Sequence, residues 1–348
     1  MTTRVDGPAD KLVGLTLLEE WKVIDRIRRN TVRSGEPRTS CYRAENSKGD
    51  QAFVKAFDFW YEDVAGDPMS LERMVREFNH EHNVHQMCKD KRLARVTRIY
   101  NAGKVLVDGY AVHFLICEYA PKSLGEALPP GDDSVPAWSR FDALRRVAAG
   151  IVQLHGADIA HQDIKPSNAV AYSCGNVKVT DLGSSSCRLL PPAPHDDFVL
   201  CGQPNYAPYE LLYDHVGSWM QRRIGCDMFL MGNLAYTSFA GHSITNVVMG
   251  GIREELRHTS RTADFQLALP YLIEVHNEYV PLFLKETVPA EVLEDFTRLI
   301  LSMCHPDPSQ RGAVLNGRNA AVQYSLQRCV TLFDLMSRRC RLRLPNVA

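Results

Sequence analysis

Residues 161–168 read HQDIKPSN, and VTDLGSSS follows at 179–186. Together they hold an Asp, a Lys and an Asn at D-x-K-x-x-N spacing, then a second Asp directly after the β-prone run NVKVT. Phosphoryl transfer needs such a set: metal ions to neutralise phosphate oxygens, a cation on the phosphates, and a carboxylate to orient the attacking hydroxyl. On that chemistry Asp163 would accept or orient the hydroxyl proton, and Lys165 would balance charge on the γ-phosphate. Asn168 would offer its carbonyl oxygen to a metal, and Asp181 would bind a bridging Mg²⁺ as a hard oxygen ligand. Lys55, in AFVKAF, would reach the α- and β-phosphates. Such a lysine needs an acidic partner, and the helical stretch 70–88 offers Glu81 or Glu77.

The elements that must carry these residues can be read from pattern. SCYRAE and QAFVKAF flank NSKGD, a turn composition, which predicts a hairpin. KVLV and YAVHFLICEY flank Asp108-Gly109, a dipeptide suited to a tight turn with positive φ at both central positions. Between them SLERMVREFNHEHNVHQMC predicts a helix with Ser70 as a cap and Leu71, Met74, Val75 and Phe78 on one face. After Tyr119 a loop-rich joint, PKSLGEALPPGDDSVPA, gives way to helix signals that run to the end. In RFDALRRVAAGIVQLHG, Leu144, Val147, Ala148, Ile151 and Leu154 share a face, and Gly156 stands at the C-cap. The expected organisation is an extension over 1–20, a small β-rich lobe over 21–119 and a larger helical lobe over 120–348.

Composition narrows the class. The 348 residues, 45% hydrophobic and 23% charged with a formal net charge of −1, suit a globular chain and give no basic surplus for nucleic acid or an anionic membrane. The basic runs RIRRN (26–30) and SRRCRLRL (337–344) read as solvated faces. Ten cysteines at irregular intervals suggest neither a disulfide framework nor a zinc ribbon, and are expected to be small core residues. The first twenty residues never build the apolar core of a signal peptide, and no apolar run reaches the ~20 residues of a bilayer span. A cytoplasmic protein is therefore expected. HEHNVH (80–85) is not a zinc motif: His80 and His85 are five apart and do not share a helix face, so an exposed polar surface is expected there.

Eight landmarks arrive in a telling order: VK (54–55), a helical Glu, LICEY (115–119), HQDIKPSN, DLG (181–183), GQPNYAPYE (202–210), CDMFLMG (226–232) and HPDPSQRG (305–312). Over about residues 20 to 335 the chain resembles a eukaryotic-type Ser/Thr protein kinase domain. The resemblance implies an α+β, bilobal fold, with ATP and Mg²⁺ as cofactors and a protein Ser/Thr hydroxyl as acceptor. It makes Asp163 and Lys165 catalytic, Asn168 and Asp181 metal ligands, and Lys55 with Glu81 a nucleotide-anchoring pair. The run F-x-x-E (78–81) with Val84 beyond it favours Glu81 over Glu77. Phe53, Glu118, Ala120, Gly35 and Val170 are placed at the nucleotide. Asp227 is expected to steady the catalytic-loop backbone, and Glu210 and Arg311 to form a buried ion pair.

The chain also departs from that pattern. The usual glycine positions hold Ser34, Glu36 and Thr39, with Gly35 nearby, where glycines would let backbone approach phosphate. Phe53 replaces an alanine and falls on the strand face of Lys55, where it would either stack on a purine or fill its place. Gln162 replaces an Arg that pairs with loop phosphate in the family, so activity is expected not to depend on that switch. Gln203 and Tyr209 replace a Thr and a Pro. Three functions follow: an active Ser/Thr kinase, a pseudokinase scaffold, or a small-molecule phosphotransferase. GQPNYAPYE with Arg311, a peptide-docking segment and its anchor, speaks against the last.

Overall fold

The computed structural model describes residues 6–27, 38–59, 68–197, 200–215, 217–260, 263–319 and 322–342, which form two compact units divided between Ala120 and Pro121. The expectations for Ser34, Gly35 and Glu36 fall outside the described residues.

The first unit is built on a six-stranded antiparallel sheet in the order β1-β2-β3-β4-β6-β5. Its strands are β1 (Thr16–Leu17), β2 (Trp21–Ile27), β3 (Arg38–Glu45), β4 (Gln51–Asp58), β5 (Ile99–Val107) and β6 (Tyr110–Glu118), with helix α1 (Pro68–Asp90) between β4 and β5. Both expected hairpins form. Asn46 closes the first, its side-chain oxygen accepting from the N–H groups of Lys48 (3.0 Å) and Asp50 (2.9 Å). Asp108 (φ 51°) and Gly109 (φ 83°) turn the second with the two positive angles that such a tight connection requires.

Strand alternation gives β4 two different faces. Ala52, Val54 and Ala56 join Tyr42, Val112, Phe114 and Ile116 in one cluster, and Ala9, Leu12 and Leu17 close over it. The N-terminal residues, in which the sequence shows no interpretable motif, thus supply core. Asp10 is buried there: its carboxylate pairs with Arg26 and accepts from the Ser40 hydroxyl, while the Tyr42 hydroxyl donates to the Ala9 carbonyl. On the opposite face Phe53 and Phe57 lie in a cluster with Phe78, Ile99, Leu115 and Cys117.

Helix α1 begins at Pro68, ahead of the expected Ser70 cap, and Leu71 is 44% exposed rather than inward. The buried stripe lies further along, through Phe78, Glu81, Val84, His85 and Cys88. The expectation of an exposed polar surface over 80–85 is corrected: His80 and His85 are buried, and the His82 ring lies nearly parallel to Phe78 at 6.2 Å. Burial lowers the His82 pKa.

The second unit is mostly helical. Its elements are β7 (Lys122–Ser123), α2 (Leu124–Ala127), α3 (Ala137–His155), β8 (Ile159–Ala160), β9 (Ala169–Ala171), β10 (Val177–Val179), β11 (Ser186–Cys187), α4 (Tyr209–Leu212), α5 (Cys226–Ala240), α6 (Ile244–Gly251), α7 (Phe265–Thr287), α8 (Ala290–Met303), α9 (Ala313–Asn316) and α10 (Gln327–Leu342). The five predicted apolar positions of α3 are all buried, and Gly156 is its C-cap. Helix α5 is buried from Cys226 to Phe239, the behaviour of a helix apolar on nearly all sides. No helix among the described residues is long and apolar enough to cross a membrane.

The structure adds to or changes the sequence reading at three places here. The joint after Tyr119 contains α2, capped by Ser123 and Glu126 in an S-x-x-E box. The stretch 251–290 is largely α7, whose Asp264 cap accepts from the N–H groups of Gln266 and Leu267; Pro270 and Pro281 inside it mask the helical pattern. The cysteines are not all core, since Cys174 is exposed and Cys201 half-buried, although all ten are free thiols.

Candidate active site

Lys55 is held on the middle of β4, between β3 and β6, where its register partners are Cys41 and Leu115. Its ammonium donates to both carboxylate oxygens of Glu81, at 2.8 and 2.9 Å, and both side chains are largely buried. Glu77, one turn earlier, instead receives Arg73 at 3.1 Å. A strand residue and a buried helix residue thus hold this cation in a fixed place through a charge-assisted pair. Glu118 ends β6, its carboxylate accepting from the Arg98 N–H at 3.2 Å, and Ala120 is the last residue of this unit. Phe53 is half-buried against the aromatic cluster under β4, on the Lys55 face.

In the second unit β8 delivers the chain into the loop 161–168. Asp227, without exposed surface at the start of α5, accepts from the N–H groups of His161 and Gln162, both at 2.7 Å, and from His155 Nε2 at 2.8 Å. The expected role of Asp227 in steadying this backbone is therefore visible as two hydrogen bonds from the loop's own N–H groups. The grip holds Gln162 at φ 64°, a left-handed angle uncommon outside glycine. His161 Nδ1 accepts from the Asp163 N–H at 3.2 Å, which leaves its proton on Nε2 to donate to the Thr180 carbonyl at 3.0 Å. Thr180 returns its own N–H to the Asn168 carbonyl at 3.0 Å. The loop and the strand leading to Asp181 are thereby tied to each other.

Asp163, Lys165 and Asn168 come together at the Asp163 carboxylate. Its Oδ2 accepts from Lys165 Nζ at 2.7 Å and from Asn168 Nδ2 at 2.8 Å, and Asn168 Nδ2 also reaches the Asp163 carbonyl at 2.9 Å. With its amide nitrogen committed to Asp163, Asn168 presents its side-chain oxygen, which receives a 3.2 Å bond from the Ser167 hydroxyl. Asp181 follows β10 at φ 63°, and Val170 lies in β9 opposite Lys178. Among the described residues no group of three His, Cys, Asp or Glu side chains is set to hold a metal. An amide oxygen and a carboxylate are hard donors that suit Mg²⁺, whose shell is ordinarily completed by phosphate oxygens and water.

Several neighbours were not legible as site residues. Gly202 packs against the Gln162 carbonyl, and Tyr206 lies near enough that the charge of Asp163 adds to burial in raising its phenol pKa. Gly202 opens the quoted GQPNYAPYE and could have been suspected as a close-approach position. Arg223 contacts Gln162 and belongs to no quoted motif. Further along, Glu210 and Arg311 form the expected buried pair, at 2.7 and 2.8 Å. Tyr209 is wholly buried with its ring edge-on to Phe229, which makes it core rather than substrate surface.

The sequence profile of the protein kinase domain matches residues 44–321, most of the chain, and the chain belongs to that family. Among curated proteins it is similar to myotonin-protein kinase of Mus musculus, 27% identical over 191 residues, which are 54% of this chain and 28% of that protein. It is also similar to the serine/threonine-protein kinase PLK4 of Drosophila grimshawi, 32% identical over 98 residues, 28% of this chain and 12% of that protein. The PLK4 of Xenopus laevis is 28% identical over 98 residues, 28% of this chain and 10% of that protein. The chain thus spans less than a third of the length of these relatives.

Proposed function

We propose that the chain is an active serine/threonine protein kinase, transferring the γ-phosphoryl of ATP to a protein hydroxyl with Mg²⁺. The observation that carries this reading is the Asp163 carboxylate, held at one oxygen by both Lys165 and Asn168. An acceptor fixed in that way can take the proton of an incoming hydroxyl, while Lys165 remains close enough to offset charge on the phosphoryl group. Asn168 and Asp181 are the residues that would hold Mg²⁺, which when bound supplies neutralisation of phosphate charge. Lys55, oriented by Glu81, would take the α- and β-phosphates. Lys165 two residues beyond Asp163 is the basis for Ser/Thr acceptors, a specificity also carried in the name of the PLK4 relatives. The same reading puts the protein in the cytoplasm, in keeping with ten free thiols.

The test is transfer of labelled phosphate from ATP to the protein itself and to a generic protein acceptor, comparing wild type with Lys55→Met and Asp163→Asn. Both variants should lose labelling, and equal labelling in all three would sink the proposal. A binding or scaffolding module that has kept its catalytic side chains while losing nucleotide is the second reading, favoured by the aromatic ring of Phe53 on the strand face of Lys55. It requires that Mg-ATP leave the melting temperature unchanged.

A further inference from the structure

Arg223 sits in the π-helical turn Met220–Gly225, four residues before Asp227, and its side chain has no exposed surface. Its Nη2 donates to the Asp196 carbonyl at 3.0 Å and pairs with the Asp196 carboxylate at 3.1 Å. Its Nη1 donates to Cys201 Sγ at 3.0 Å and to the side-chain oxygen of Gln162. Each partner passes the restraint on. Gln162 donates its amide to the Ser184 carbonyl at 3.1 Å, and Cys201 donates its thiol to the His195 carbonyl at 3.3 Å. Asp196 accepts from the Ser186 hydroxyl at 2.6 Å and from the Ala193 N–H at 2.8 Å.

One guanidinium therefore ties Asp196 and Cys201, and through Gln162 also Ser184, to the residue that precedes Asp163. A planar fork of five donors can serve a carboxylate, an amide oxygen and a sulfur at once, which an ammonium cannot. Because the guanidinium is fully buried, it stays in place only while the Asp196 carboxylate compensates its charge. The neutral amide of Gln162 fits this arrangement, since a cation at 162 would face Arg223. Ser185 and Ser186 are buried, the Ser185 hydroxyl donating to the Leu182 carbonyl and the Ser186 hydroxyl to the Asp196 carboxylate, so neither stands ready for a kinase to reach.

Resting on the kinase reading above, we propose that Arg223 is a positioning residue for phosphoryl transfer: with Asp196 it fixes residues 184–197 and Cys201 and, through Gln162, the loop that bears Asp163, so that transfer needs no phosphate on the serines of that stretch.

The experiment uses the full chain, assayed before and after treatment with a broad-specificity phosphatase, together with Asp196→Asn, Gln162→Arg and the exchange double variant Gln162→Arg/Arg223→Gln. Phosphatase treatment should leave the wild-type rate within about twofold. Asp196→Asn and Gln162→Arg should each lower kcat roughly ten- to a hundredfold, as misplacement of a catalytic group does. KM for ATP should stay within about threefold, and limited proteolysis should cut within 184–202 faster. The exchange variant, with the guanidinium moved to position 162, should recover most of the lost rate. An active wild type that phosphatase silences, or whose kcat and protease resistance Asp196→Asn leaves intact, overturns this inference alone. A wild type without transfer activity before phosphatase treatment overturns the kinase reading, and the positioning role falls with it.

Discussion

Gly202 faces the main-chain carbonyl of Gln162 with no room for a side chain, and a Cβ there would also stand 3.3 Å from Oδ1 of Asp163. The obstacle is backbone, which cannot swing aside as the end of a flexible side chain can. Gly202→Ala should therefore displace the loop or the segment at the point where Asp163 must be placed. The expected result is a loss of kcat/KM of roughly tenfold or more, with a melting temperature below that of wild type. Retained kcat/KM would show that this close approach has no bearing on transfer.

The pairing of Lys55 with Glu81 and not Glu77 predicts unequal effects of two chemically identical substitutions. Glu81→Gln keeps a hydrogen bond to Lys55 but removes its charge, and should raise KM for ATP about three- to tenfold, the scale of a charge-assisted contact weakened to a neutral one. Glu77→Gln weakens an i,i+4 pair with Arg73, worth about 0.3–0.5 kcal/mol, and should leave KM unchanged. Steady-state kinetics at varied ATP distinguish the two. Similar KM values for both variants would contradict the assignment.

Leu12 is fully buried beneath the sheet although it belongs to the N-terminal stretch, whereas neighbouring Val13 is 53% exposed. Leu12→Ala should cost about 2–5 kcal/mol, the range for a large-to-small change in a core. Val13→Ala should stay within about 0.5 kcal/mol of wild type. Urea unfolding midpoints measure both. Equal, small shifts would mean that residues 7–17 contribute no core.

His276 is buried in α7 with Nε2 3.5 Å from the Leu301 carbonyl, and burial lowers its pKa to about 3. Its folded pKa lies below the unfolded value of 6.5, so on acidification the unfolded chain takes up a proton that the folded chain refuses. Stability is unaffected by this group above pH 6.5 and falls as pH drops from there towards 3, with a limiting slope of about 1.4 kcal/mol per pH unit. His276→Gln should flatten the fall by that amount. Urea midpoints recorded between pH 7 and 4.5 provide the check, and parallel curves for the two proteins would refute it.

Much of the site was readable because it is local. Asp163, Lys165 and Asn168 lie within six residues, so a single tight loop suffices to bring their side chains together, and D-x-K-x-x-N records that geometry directly. The Asp108-Gly109 turn and the buried face of α3 are equally local, set by permitted φ and by a 3.6-residue period. Lys55 with Glu81 was legible only with help, because periodicity puts Glu77 and Glu81 on the same helix face and the sheet chooses between them.

What the sequence determined by itself was the order of elements, the local loop that assembles the Asp163 carboxylate, and the residue types that phosphoryl transfer requires. Only the tertiary structure decided which charged and polar groups are buried: Asp10 under the sheet, His80 and His85 inside α1, Arg223 against Gln162 and Asp196. Burial depends on which distant segment closes over a residue. A guanidinium 61 positions from its amide partner leaves no trace in the spacing of either.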